Sequence, residues 1–159
     1  MDTNSKANDE YKISIANSND LEQIIALLKD DVLGRVREQD FTDARADYEA
    51  AFADIDRSPD NSILLLKTKD SVIACLQITM IPNLTFAGAK RCQIEGVRVA
   101  RNFQGRGVGQ LIMRHAIDRA KALGCKIVQL TSNNTRSDAL RFYEKLGFEA
   151  THAGFKLYL

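Results

Sequence analysis

The residues of this chain best suited to do chemistry are Gln104-Gly105-Arg106-Gly107-Val108-Gly109. They follow the apolar-alternating run 94–99 and open a helix-patterned run that reaches Leu123. A strand feeding a glycine-rich turn into a helix start makes an anion site. Glycines let backbone N–H groups turn inward without a Cβ clash. The helix start adds unpaired N–H donors and the positive end of the helix dipole. The chemistry expected is the grip of a phosphorylated ligand. Arg98, Arg101 and Arg106 cluster around this turn, where they either meet the phosphate or lie solvated. Two phosphate patterns fail here. A dinucleotide fingerprint needs glycine where Gln110 stands, and no Gly-Lys-Ser/Thr completes a mononucleotide loop.

Two further side chains could move protons. Tyr143 shares a helix face with the small Ala139, four residues earlier, which leaves room for a ligand beside the phenol. A phenol titrating near pH 10 is protonated at neutrality and can give its proton to a departing thiolate; the alternative is a core tyrosine with its hydroxyl satisfied. Glu95 is an acid in the middle of an apolar strand. It either takes a proton as a base or pairs with Arg91, Arg98 or another cation. Gly96 beside it permits a bulge, and a bulge decides which face Glu95 uses. His115 flanks the apolar stripe of the long helix and reads as structural. His152 could face an acceptor pocket. Two histidines without ordered carboxylate spacing predict no metal site.

These groups need elements to hold them. Residues 11–16 alternate as a first strand, and Ser18, Asn19 and Asp20 offer caps for a helix carrying Leu21, Ile24, Ile25, Leu27 and Leu28. Gly34 breaks that pattern. A second helix is predicted over 42–55, with Tyr48, Ala51, Phe52 and Ile55 on one face. Runs 63–66 and 72–81 predict a strand pair joined through 69–71, and 86–89 a loop. Run 91–99 is the strand before the glycine turn. Val108, Leu111, Ile112, Ala116, Ala120 and Leu123 stripe the long helix, and Gly124 stops it. A strand over 126–131, a short helix from Ser137 to Gly147, and one or two terminal strands over 148–159 complete the order. That order is an α/β layer arrangement around a mixed, twisted sheet, with a right-handed crossover over 94–130.

The chain of 159 residues suits one domain, expected over 11–159 behind a polar, mobile tail of 1–10. A formal charge of +1 argues against a nucleic-acid or membrane partner recruited by bulk charge. Cys75, Cys92 and Cys125 are odd in number, widely spaced and set in apolar runs, so buried reduced thiols fit better than disulfides or zinc, as in a cytoplasmic protein. No apolar run approaches the ~20 residues of a membrane span, and the first six residues lack the apolar core of a signal peptide.

The spacing Gln-x-x-Gly-x-Gly of Gln104, Gly107 and Gly109 resembles the acyl-CoA pyrophosphate loop of the GNAT N-acetyltransferase superfamily. The stretch 139–148, with Ala139, Tyr143 and Gly147-Phe148, resembles that family's second signature, in the right order and at a fitting distance. The resemblance covers 91–148 well. It implies a GNAT-like sheet of six to seven strands flanked by about four helices. It implies acetyl-CoA as co-substrate, held by Gln104, Gly105, Arg106, Gly107, Val108 and Gly109. The main chain of Val97 and Val99 would bind the pantetheine arm and the acetyl carbonyl. It makes Tyr143 the acid and Glu95 the base in direct attack by a primary amine of a small molecule or peptide. Many members carry Asn three residues before the helix alanine; this chain has Arg136 there, with Asn133 and Asn134 just upstream. Arg98, Asn134 and Arg136 are therefore further candidates for cofactor contact. Stretches 130–132 and 136–139 also look somewhat like aminoalkylphosphonate acetyltransferases. A non-catalytic acyl-CoA sensor shares the loop without needing Glu95 or Tyr143, and a nucleotide-binding interaction domain is a further rival. The acceptor has no readable code in 27–48 or 82–90, and a homodimer stays open.

Overall fold

The computed structural model describes residues 11–30, 38, 42–133 and 135–159. Five strands form one sheet in chain order: β1 (Lys12–Ile15), β2 (Asn61–Lys67), β3 (Val72–Ile81), β4 (Arg91–Val99) and β5 (Ile127–Leu130). The first three pairings are antiparallel and β4–β5 is parallel. Among the described residues four helices of nine or more residues flank it, α1 (Leu21–Lys29), α2 (Arg45–Arg57), α3 (Val108–Ala122) and α4 (Ser137–Lys145), and a single left-handed turn spans Thr85–Gly88 where a loop is expected.

Side-chain alternation sorts the core into two layers. Leu64, Leu66, Ala74, Leu76 and Ile78 face α3, which answers with Val108, Ile112, Met113, Ala116 and Ala120. Leu65, Val72 and Cys75 face the other way, toward Leu21, Ile24, Ile25 and Leu27 of α1 and Phe52 of α2. On α2 only Phe52 is fully buried; Tyr48 and Ile55 are half-buried, and Ala51 is exposed against expectation. Leu123, expected on the apolar stripe of α3, is 43% exposed because the helix has already ended, with Gly124 at φ +80.

The entry to α1 differs from a simple cap. Asn17 caps a short 3-10 turn over Ser18–Asp20. The Asp20 carboxylate turns back, accepting from the Asn17 N–H at 3.0 Å and from Lys67 Nζ at 2.5 Å. That pair ties the helix entry to the end of β2. The predicted break at Gly34 lies outside the described residues.

One expectation fails. Among the described residues the sheet has five strands where six to seven are expected, because residues 148–159 form no strand. Their apolar pattern suits a strand, but a strand needs a neighbour to satisfy its backbone. The segment passes the end of β5, with Gly154 against Thr131, without pairing to it.

Candidate active site

β4 carries the site because it changes neighbours halfway along. Arg91 to Ile94 pair with Ile127 to Leu130 of β5, and the ladder stops there. Beyond it β4 keeps only β3, and even that pairing is irregular between Cys75 and Gln77. The cause is Gly96, whose φ of +62 lies in the left-handed region that favours glycine. Its own carbonyl accepts from the Cys75 thiol at 3.8 Å. The bulge expected there is present. The two strands splay into an open cleft of 2430 Å³ lined by Glu95, Val97, Arg98, Val99, Arg136 and Tyr143.

The glycine turn closes one end of the cleft. Gly105 and Gly107 take φ of +73 and +79, and a Cβ built at either meets nothing within 4 Å. Gly107 is the N-cap of α3, and the first turn bond runs from the Leu111 N–H to the Gly107 carbonyl at 3.0 Å. The amides of Val108, Gly109 and Gln110 precede that first bond, so the helix supplies them no acceptor. Gln104, Gly105, Gly107 and Gly109 all line the cleft. Open space over two left-handed glycines and a row of free donors fits an incoming diphosphate.

Gly109 has a different task. A Cβ there would stand 3.3 Å from the Phe142 ring and 3.5 Å from Val99. It is a close-approach glycine that lets α4 lean on α3 and β4. Phe142 was not singled out from the sequence. The signal for it was a glycine inside a helix, which implies a large neighbour.

The arginines divide. Arg101 pairs with Asp30 at 2.9 Å, leading it away from the turn. Arg106 lies over the Phe103 ring, 5.5 Å from its centroid, and Tyr11 meets Phe103 edge-on at 6.3 Å. Arg98 donates to the Val97 carbonyl at 2.8 Å and lines the cleft. Gln104 does more than lead into the loop, since its Nε2 donates to the Val99 carbonyl at 3.1 Å and pins turn to strand.

On the opposite wall, Arg136 caps α4, and its N–H donates to the Asn133 carbonyl at 3.0 Å. Asn133 Oδ1 accepts from the Thr135 N–H at 3.0 Å and from its hydroxyl at 2.8 Å. Asn134 lies outside the described residues. Tyr143 is half-buried between Phe142 and Phe148, with ring centroids 5.2 and 6.0 Å away. Burial pushes its phenol above the usual range, and the charges of Arg136 and Arg98 pull part of the way back. The phenol therefore keeps its proton throughout the neutral range. Glu95 is exposed at the bulge, lines the same cleft, and forms no ion pair with Arg91 or Arg98 among the described residues. Both histidines are exposed; His152 lines the cleft and His115 does not. Among the described residues no group of three or more His, Cys, Asp or Glu could hold a metal, and no helix is long and apolar enough to cross a membrane.

A splayed β4–β5 pair, a left-handed glycine turn at a helix start and a phenol on the facing helix meet in one cleft. A family model described as "Acetyltransferase (GNAT) family" matches residues 20–148, and the chain belongs to that family. The solved structure of a protein from Bacillus halodurans described as a transcriptional regulator is 41% identical, covering 94% of this chain and 99% of that one, with a TM-score of 0.91. Glucosamine-6-phosphate N-acetyltransferase from Arabidopsis thaliana shares the fold at 22% identity, a TM-score of 0.76, and coverage of 93% and 97%. Streptothricin acetyltransferase of Streptomyces lavendulae is 36% identical over 59 residues, which is 37% of this chain and 31% of that protein. The matched stretch thus spans under a third of that curated relative.

Proposed function

We propose that the protein transfers the acetyl group of acetyl-CoA to a primary amine. The observation that carries this is the abrupt end of the β4–β5 ladder at Ile94 and Leu130, directly before the glycine turn. Beyond Ile94 that flank of β4 has no partner strand, and it opens on a cleft that also holds Glu95 and Tyr143. The diphosphate rests on the amides around Gly105, Gly107, Val108 and Gly109, with Arg106 beside it. The pantetheine arm runs along β4 between Val97 and Val99. A backbone N–H aimed at the acetyl oxygen stabilises the tetrahedral oxyanion, an effect worth about 3 kcal/mol in other oxyanion holes.

The amine nitrogen attacks the thioester carbon and the C–S bond breaks. Glu95 takes the proton that the amine loses, directly or through water, and Tyr143 supplies one to the departing sulfur. Holding both reactants in one cleft supplies much of the rate. The acceptor is a small molecule or a peptide amine, with an aminoalkylphosphonate as a narrower possibility that Arg136 suits.

Calorimetric titration with acetyl-CoA tests the assigned turn. Gly107→Glu places a side chain at a left-handed position and an anion where the diphosphate sits. Affinity should fall at least about tenfold, the equivalent of 1.4 kcal/mol; unchanged affinity removes the turn from the account. A second reading, an acyl-CoA-responsive regulator, draws on the description of the Bacillus halodurans protein. Acetyl-CoA binding without thiol release across primary amines, aminophosphonates, polyamines and peptide N-termini would favour it.

A further inference from the structure

We propose that Arg91 reads an anionic group at the far end of an elongated acceptor, a carboxylate or phosphoryl group on the order of 10 Å from the amine that is acetylated. This rests on the transferase reading above, with the amine at Glu95. Cys92 and Ile94 are fully buried in the core under α3. By strand alternation Arg91, Gln93 and Glu95 share the opposite face, and all three line the cleft. A strand rises about 3.3 Å per residue, so Arg91 and Glu95 stand roughly 13 Å apart at Cα. A ligand seated between their side-chain ends spans somewhat less.

Arg91 is short of acceptors. A guanidinium carries several N–H donors in a planar fork. Among the described residues its one side-chain partner is Gln129, with Nη1 donating to Oε1 at 3.5 Å, the outer limit of a hydrogen bond. Its Nε is buried with no acceptor, and no described carboxylate pairs with it. A charged donor left so is costly until an anion arrives. Carboxylate and phosphate both match the fork.

Other polar side chains on this face are already satisfied. Asn61 Oδ1 accepts from Gln77 Nε2 at 3.2 Å and from Thr79 Oγ1 at 2.7 Å, and none of the three lines the cleft. Gln129 Nε2 donates to Gln93 Oε1 at 2.7 Å, which fixes two amides between Arg91 and Glu95. Each carboxamide nitrogen has one acceptor among the described residues and so a second N–H to offer. The middle of the acceptor therefore carries hydrogen-bond acceptors. The turn leading into β4 supports a ligand at this end. Phe86 and Ala87 take φ of +52 and +55, a region that non-glycine residues rarely occupy, and such strain gathers at ligand clamps. Phe86 is 78% exposed and lines the cleft. Single amino acids and short aminoalkylphosphonates cannot reach from Glu95 to Arg91. A short peptide with a free carboxyl end, or an amine with a distant phosphoryl group, can.

Matched probes differing in one anionic group test this. The two readouts are thiol release from acetyl-CoA and calorimetry in the presence of coenzyme A. Triglycine against triglycine amide examines a carboxylate, and aminooctyl phosphate against aminooctanol a phosphoryl group. At least one charged probe should exceed its neutral twin at least about tenfold in kcat/KM or affinity, the weight of a charge-assisted hydrogen bond. The pair with the larger ratio names the source. Glycine against glycinamide should show no such ratio, because that carboxylate falls short of Arg91. Arg91→Gln should bring the long pairs within about twofold, and Arg91→Lys should keep part of the preference. Ratios near one for both long pairs, or no binding of any probe, overturn the proposal. So does a preference that survives Arg91→Gln or that glycine already shows in full. Should Arg91→Gln not fold, the long and short pairs on the unaltered protein decide alone. Failure of the transferase reading looks different: acetyl-CoA binds, no probe releases thiol, and the calorimetric ratios still judge Arg91.

Discussion

Helices α3 and α4 are both one-sided in sequence and both face the cleft, yet they are held in opposite ways. α3 buries five side chains completely against the sheet. α4 buries none; Ala139, Leu140, Phe142 and Tyr143 stop at half-burial. The difference shows where the fold invests its packing. The helix that follows the glycine turn is anchored deep in the core, and the helix that carries the phenol leans on it through the partly buried Phe142, Tyr143 and neighbouring Leu146. Elements that must yield to a ligand come from the weakly packed end of a structure.

The sharpest way to break this comparison is truncation on each helix. Ile112→Ala should cost about 2–5 kcal/mol in urea unfolding, the range for a buried aliphatic core position. Leu140→Ala should cost about 1 kcal/mol or less, as expected away from the fully packed core. Equal costs would mean that α4 is as fixed as α3. Next comes Tyr143→Phe, which keeps the ring packing and removes the proton. It should lower kcat at least about 100-fold with acetyl-CoA affinity unchanged; undiminished turnover would remove Tyr143 from the acid role. Gly109→Ala pushes a methyl to 3.3 Å from the Phe142 ring. The cost should be about 1 kcal/mol, at the low end for overpacking, with tryptic cleavage rising first at Arg141 and Lys145 on α4.

The smallest effect concerns the alkaline limit. Burial pushes the Cys75 thiol up from 9.0 to about 12, against a weaker opposing pull from Arg98. The folded state therefore holds that proton more tightly than the unfolded chain. Its contribution is complete below pH 9 and is lost as pH climbs toward 12. Tyr143 shifts in the same direction. Tm should hold steady up to pH 9 and then decline, and Cys75→Ala should make that decline shallower.

The sequence is legible where a pattern carries its own geometry. The stripe of α3, the stop at Gly124 and the bulge at Gly96 each follow from one residue type at one spacing. The glycine turn is legible for the same reason. Legibility ends where a partner distant in the chain decides. Arg101 is drawn off by Asp30 and Arg106 settles on Phe103. Gly109, read as part of a phosphate cradle, also serves a ring 33 positions later. Residues 148–159 have strand composition, but strand formation depends on an available edge, which no local pattern encodes. Glu95 was ambiguous between catalysis and an ion pair because the bulge beside it uncouples its face from strand parity.

The edge-on meeting of Tyr11 with Phe103, whose ring also carries Arg106, sets the head of β1 against the glycine turn. A fluorophore or fusion partner attached just ahead of Tyr11 would therefore emerge beside the glycine turn and, with the turn acting as proposed, obstruct it. The solvent side of α2, across the sheet from α3, offers a safer anchorage: Asp47, Glu49 and Ala50 there are all exposed.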